Sequence, residues 1–326
     1  MISAENKGFE FFAIGEAVID FISTAIAASL ASAKKFHAYV GGQPTNLAID
    51  LALLGKNTGI ASCVGADGFG DYIIQYLKDS RVNTDRIQQT EAAPTSISII
   101  ARHTITPDFV INRGADAYLQ ANSGHEDVVA NSRIVHSSAF ALSREPARSV
   151  VMDSLRLADK NDCLVTFDPN YHPKIWPDTD EMVDKLKSVY QSVDVTKPSL
   201  DDCKRIFGKN MPPKECAERF LDWGAKVVLI TMGSQGVFLA IGDSGERYRI
   251  QPENVDVADV TGAGDAFWAG YLAAILDGSS QIEAATLGQV VAEAKVGVMG
   301  PITDMPSIDA LKERARSVKI SRVNEK

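Results

Sequence analysis

Short apolar runs alternate with longer segments of helical period along most of this chain. "FEFFAIG" (9–15) predicts a first buried strand and "TGIASCVG" (58–65) another. Between them, "NLAIDLALLG" places Leu47, Ala48, Leu51, Ala52 and Leu54 on one helical face, with Gly55 suited to a C-cap. "YIIQYLKDS" (72–80) predicts the next helix. "SREPARSVVMDSLRLADK" (143–160) predicts one more, with Ser143 as its N-cap and Glu145 and Pro146 early in the turn. The strands "CLVTF" (163–167), "VVLIT" (227–231) and "GVFLAI" (236–241) follow. Two helices come last, "AFWAGYLAAILDG" (266–278) and "IEAATLGQVVAEAKVG" (282–297). Strands alternating with helices predict an α/β fold, a largely parallel sheet covered on both faces.

Two regions break the rhythm. Residues 17–40 and "TSISIIARHTITPDFVIN" (95–112) read as β structure without helices between the strands, the second with Ser96 and Ser98 alternating against Ile97 and Ile99 and a "TPD" turn signal. They predict a small added sheet acting as a lid. With no repeat and no interdomain linker, the expectation is a single domain over 1–326 with a discontinuous lid from about 17–40 and 95–113.

Composition narrows the function. Of 326 residues 45% are hydrophobic and 23% charged, enough for a substantial core. A net charge of −9 argues against nucleic acid or an anionic membrane as the main partner, while leaving room for a local basic pocket. Four scattered cysteines without metal-ligand spacing, and five histidines without an i, i+4 pair, predict a reduced chain with no zinc site. The N-terminus lacks signal-peptide character and "TAIAASLASAKK" is too short to span a bilayer, so a cytoplasmic protein is expected.

The candidate chemistry centres on "DVADVTGAGDAFWAG" (256–270). A glycine-rich turn at a helix start exposes N–H groups and the positive end of the helix dipole. Gly262 and Gly264 permit close backbone approach, and Phe267, Tyr271, Leu272, Ile275 and Leu276 form a stripe that predicts burial along one side, with Gly278 as the cap. No G-x-x-x-x-G-K-[ST] occurs, and no G-x-G-x-x-G follows the first strand. Asp265 would repel a dinucleotide pyrophosphate. It suits phosphoryl transfer, in which a base beside an anion hole accepts the proton of an attacking hydroxyl.

"DVTGAGDAFWAG" resembles the C-terminal signature of the PfkB, or ribokinase-like, carbohydrate kinases, and "GGQPTNLAIDLALLG" (41–55) resembles their N-terminal G-G-x-x-x-N-x-A. The similarity runs from about Gly15 to Pro306. It implies a three-layer α/β/α sandwich with a β lid, ATP and Mg²⁺ as cofactors, potassium in some relatives, and a sugar substrate; exposed lid edges invite pairing with a second copy, so a homodimer is expected. It implies Asp265 as catalytic base and the amides of Gly262, Ala263 and Gly264 as anion hole. Asp20, Gly41, Gly42 and Asn46 would hold the sugar, with Asn170 and Arg113 as further contacts, although Arg113 also fits a solvated strand end. "TMGSQG" is similar to the family's T-x-G-x-x-G, placing Thr231, Gly233 and Gly236, with Lys197, near the nucleotide; a plain β-turn fits the same residues. Asp259 and Thr261 match monovalent-cation positions of some relatives, or a structural turn.

"FDPNYHPKIWPD" (167–178), "NRGADAYL" and "VHSSAFALSREPARS" look most like fructokinases, but His172 stands where those usually have arginine. Likewise "SLDD" (199–202) replaces N-x-x-E, leaving Asp202 as a magnesium-linked carboxylate or as part of a helix cap. The implied function is phosphorylation of a ketose, fructose foremost. The alternatives are a 2-keto-3-deoxygluconate kinase, a catalytically weak sugar-binding regulator on the same scaffold and, least supported, a dehydrogenase.

Overall fold

The computed structural model describes residues 8–102, 108–253, 255–257, 260–297 and 305–323. Fourteen strands form among them: β1 (Phe9–Ile14), β2 (Val18–Ser23), β3 (Phe36–Gly41), β4 (Thr58–Gly65), β5 (Asn83–Thr90), β6 (Ile97–Ala101), β7 (Asp108–Asn112), β8 (Ser132–Ser138), β9 (Leu164–Asp168), β10 (Val195–Thr196), β11 (Val227–Thr231), β12 (Val237–Ile241), β13 (Arg247–Ile250) and β14 (Ile320–Arg322). Ten of them build one sheet in the order β14-β13-β12-β11-β10-β9-β8-β1-β4-β5. From β5 to β11 neighbours run parallel; β12, β13 and β14 add an antiparallel edge.

Side chains of β1 alternate between two apolar layers, as the two-residue period of a strand requires. Phe11 and Ala13 enter one core with α1 (Gln43–Leu53) and α2 (Gly68–Asp79). Phe12 and Ile14 enter the other, with α3 (His125–Ala130), α4 (Ala139–Leu142), α5 (Ala147–Lys160), α6 (Thr179–Tyr190), α7 (Leu200–Phe207) and α8 (Pro213–Asp222). The first layer is completed by α9 (Ala263–Leu276), α10 (Gln281–Val296) and α11 (Ile308–Ala315). The fold is therefore the expected α/β/α sandwich.

The remaining four strands form a separate sheet, β3-β2-β6-β7. In it β2 runs antiparallel to β3 and parallel to β6, while β6 and β7 form an antiparallel pair. The turn read at "TPD" falls partly on residues 103–107, outside the described residues.

Two local expectations change. The helix predicted from Ser143 starts later: α5 begins at Ala147 behind Pro146, and Ser143 instead ends α4, its hydroxyl donating to Phe140 O at 2.7 Å. Proline lacks the N–H that a helix start leaves unpaired, so the chain enters the helix there. The apolar stripe of α9 becomes burial on every side, because Ala266 through Leu276 are all buried. A helix apolar all round belongs inside the molecule, and α10 encloses it.

Trp268 anchors that helix. Its ring meets His136 and Tyr271 edge-on at 5.5 and 5.9 Å, and its Nε1 donates to Asp168 Oδ2 at 2.9 Å. Trp268→Phe keeps a ring but strips the buried carboxylate of a donor, which should cost about 1–3 kcal/mol. Urea denaturation measures it; a loss below about 0.5 kcal/mol would contradict the anchoring bond.

Candidate active site

The N-terminus of α9 opens between two cavities. Gly262 is its N-cap in the left-handed conformation (φ 78°), which favours glycine, and among the described residues no side chain caps the helix. The first-turn N–H groups of Gly264 and Asp265 are thus left for a ligand. Asp265 lines a cavity of about 330 Å³ with Asp20, Gly42, Asn46, Asn170 and Glu16. Ala263 and Gly264 line a second, of about 460 Å³, with Thr231, Gly233 and Gly236.

Asn46 reaches Asp265 from α1, its Nδ2 donating to Oδ2 at 3.0 Å. Asp265 is half-buried, its exposed side facing the cavity. Desolvation outweighs the Asn46 bond and lifts its carboxyl to about 6. Asp20, paired with Ser98 across β2 and β6, is lifted to about 6 in the same way, against a hydrogen bond from Ser98. Gly41 packs its backbone on the Asp20 carboxylate, where a Cβ would collide. Gly42, at φ 105°, turns the chain into α1 against Glu16 O. Behind this wall, Lys197 Nζ lies 3.1 Å from Asp168 Oδ2, and a Cβ on Gly264 would sit 3.4 Å from that ammonium.

Arg113, Asp202 and Lys197 do not line either cavity, nor do Gly41, Thr261 and Gly262. Arg113 is buried: it ion-pairs with Asp116, donates to Ser143 Oγ and to Phe140 O at 3.1 Å, and lies over the Phe140 ring. The buried carboxylate of Asp116 holds it away from any substrate. Asp202 forms a capping box with Ser199, its Oδ2 accepting from Ser199 N and Oγ at 2.9 and 2.6 Å, while Oδ1 accepts from Tyr171 N at 3.0 Å. These bonds are those of the helix-cap reading of Asp202. Lys197 stands behind the helix turn rather than in a wall. Asp259 lies outside the described residues, and Thr261 is exposed ahead of Gly262.

Sequence reasoning missed a polar chain beneath the site. Buried His136 is pushed down to about 3 by desolvation and then by Lys197, so it is neutral. Its Nδ1 contacts Thr166 Oγ1 and its Nε2 contacts Gln43 Oε1, both at 2.8 Å. An amide oxygen only accepts, so the imidazole proton sits on Nε2 and the Gln43 NH₂ is left for the Asp265 side, where it holds that carboxyl down. Glu16 accepts from Gln43 N at 3.2 Å and Ser138 Oγ at 3.0 Å; desolvation lifts it to about 8. These residues come from strands and a helix start far apart in sequence; Gln43 lies within the N-terminal motif, and His136 and Ser138 within the segment at 135–149.

A profile of the pfkB family carbohydrate kinases matches residues 10–308. The chain is 34% identical to the ATP-dependent 6-phosphofructokinase of Thermoanaerobacterium thermosaccharolyticum, over 94% of each chain. It is 30% identical to the 5-dehydro-2-deoxygluconokinase of Clostridium perfringens, over 95% of this chain and 93% of that one. The solved structure of Halothermothrix orenii fructokinase superposes with a TM-score of 0.76 at 32% identity, covering 89% of this chain and 99% of the other. An α/β sandwich with a helix N-terminus open to two cavities defines a class of group-transfer enzyme, and within it this chain belongs to the pfkB family carbohydrate kinases. It is an enzyme, a sugar kinase, as its sequence led us to expect. Among the described residues no helix is long and apolar enough to cross a membrane.

Glu16 keeps its proton in the fold beyond the pH at which an unfolded chain releases it. Between its ordinary 4.5 and about 8 the folded form binds more protons, so rising pH destabilises the fold across that window. Glu16→Gln should lose less stability between pH 5 and pH 8 than the wild type in urea denaturation. An identical pH dependence in both would contradict the assignment.

Proposed function

We propose that this kinase transfers the γ-phosphoryl group of ATP to a primary hydroxyl of a ketose, fructose or a close relative of it. The observation carrying this reading is the double opening of α9, with Asp265 in one cavity and Ala263 and Gly264, two and one residues earlier, in the other. In this reading the sugar lies in the 330 Å³ cavity, its hydroxyls held by Asp20, Asn46, Asn170 and the Gly42 backbone. ATP occupies the larger cavity, whose apolar wall of Val237, Val257, Val260 and Val296 suits a base and whose Thr231–Gly236 turn suits the phosphates. The name of the Thermoanaerobacterium relative supports ATP as donor. Magnesium enters with the nucleotide, whose phosphates and water suffice for most of its shell. The potassium expected at Asp259 and Thr261 has no geometric support among the described residues.

The sugar oxygen attacks the γ-phosphorus, its proton passes to an Asp265 oxygen, and the bond to the β-phosphate oxygen breaks to release ADP. The first-turn N–H groups and Lys197 beneath them offset the charge on the moving group. Protonated Glu16 adds a donor beside the ionised acceptors, which a polyol needs to keep its hydroxyls paired. The four-stranded sheet closes over the sugar as a lid that excludes water. Its open edges, β3 and β7, suit pairing with a second copy, in keeping with the homodimer expected from the sequence.

Asp265→Asn should lower ketose-dependent ADP release by roughly 10²–10⁴-fold while leaving sugar binding measurable. Full turnover in the variant would remove Asp265 from the mechanism. Because Asp265 must be ionised and titrates at about 6, kcat/KM should fall as pH drops below about 6 and level off above it. A profile flat down to pH 4.5 would contradict a base at that position.

A further inference from the structure

The segment Phe167–Asp178 carries His172 where the resemblance leads one to expect arginine, yet a guanidinium reaches the same cavity from another element. Arg205, on α7, lines the 330 Å³ cavity beside Tyr171 and His172. Its Nη1 lies 3.4 Å from Tyr171 O and 3.8 Å from Asp202 Oδ1, both long for a charged donor. Among the described residues it has no other partner, and its side chain is 31% exposed.

His172 is prepared as a second donor. Its ring meets Phe109 edge-on at 4.6 Å, and its Nδ1 accepts from Lys174 N at 3.1 Å. Desolvation, then Arg205 and Lys174, push it down to about 4, so the ring is neutral and its proton sits on Nε2.

Strand register places this pair at the far end of the cavity. Asp20 pairs with Ser98 and Ser98 with Ile111, whereas Phe109 pairs with Ile100, two residues further along. That offset is about 7 Å, and His172 packs on Phe109. Along the small sheet the cavity thus carries the Asp20 carboxyl at one point and, about 7 Å further on, the end bordered by a cation. Lys174, Asp108 and Asp202 also surround Arg205 and His172. Lys174 is engaged by Asp108 Oδ1 and Phe109 O, and Asp202 by Ser199 and Tyr171. Of the charged groups at that end, Arg205 is the one that borders the cavity.

We propose that Arg205, with the Nε2–H of His172, receives an anionic group on the sugar opposite the hydroxyl that is phosphorylated. The preferred substrate is then a ketose bearing a carboxylate or a phosphate. This rests on the kinase reading above and narrows its substrate class.

The test compares kcat/KM for fructose, 5-dehydro-2-deoxygluconate and fructose 6-phosphate in the wild type, Arg205→Gln and Arg205→Lys, with calorimetric titration of each sugar in parallel. The wild type should favour one anionic ketose over fructose by about tenfold or more, and the favoured one distinguishes carboxylate from phosphate. Arg205→Gln should shrink that preference by roughly 30-fold, chiefly through KM, and Arg205→Lys should restore part of it by keeping the charge without the fork. A wild type that favours fructose, or a preference unchanged in Arg205→Gln, overturns the proposal and leaves the kinase reading standing. Calorimetric binding of an anionic ketose that depends on Arg205, without phosphoryl transfer to any of the three sugars, supports the anion site and overturns the reading of the reaction.

Discussion

The site depends on holding the N-terminus of α9 still while keeping it unpaired. A helix buried from Ala266 to Leu276 cannot shift without opening the core around it. Its first turn nevertheless faces two cavities and lacks a capping side chain among the described residues. Left-handed Gly262 makes that turn possible, since a side chain there would strain the backbone. Asn46 fixes Asp265 from α1, and Trp268 ties the next turn to Asp168 at the end of β9. Sheet, helix and carboxylate are thus one rigid unit.

Desolvation then sorts the acids by their surroundings. Glu16 is raised to about 8, while Asp20 and Asp265 are raised to about 6. Near neutral pH this leaves one protonated carboxyl and two ionised ones around a single cavity, a mixture of donor and acceptors that a hydroxyl-rich ligand can satisfy. Neutral His136 extends the set by orienting the Gln43 amide. In the proposed reaction the same spread separates recognition from proton acceptance.

Contiguous motifs were the legible part of the sequence. The strand read at 58–65 coincides with β4, and Asp265, Asn46, Gly42 and Asp20 do share one cavity, as the two signatures implied. Local capping was harder: Ser143 and Pro146 both fit a helix start, and packing of α4 decided between them. Arg113 lies away from the cavity because its partner Asp116 fixes where its side chain points, and of the two readings of Asp202 the helix cap is the one its bonds to Ser199 describe. Arg205 and Glu16 gave no sequence signal, and His136 lay in a quoted segment that did not single it out. Each enters the site through the meeting of strand and helix ends that are distant in the chain, and their pKa shifts follow from burial that composition does not reveal.

The central claim is that Asp265 and the amides beside it pass a phosphoryl group directly from one cavity to the other. Phosphorus NMR of the protein with ATP and a ketose tests this most directly. The account predicts that the γ-phosphate resonance is replaced one-for-one by a sugar phosphomonoester, at a rate roughly 10²–10⁴-fold lower when Asp265 is replaced by asparagine. Conversion of ATP to ADP and inorganic phosphate alone, with no sugar phosphate formed from any ketose, would contradict it.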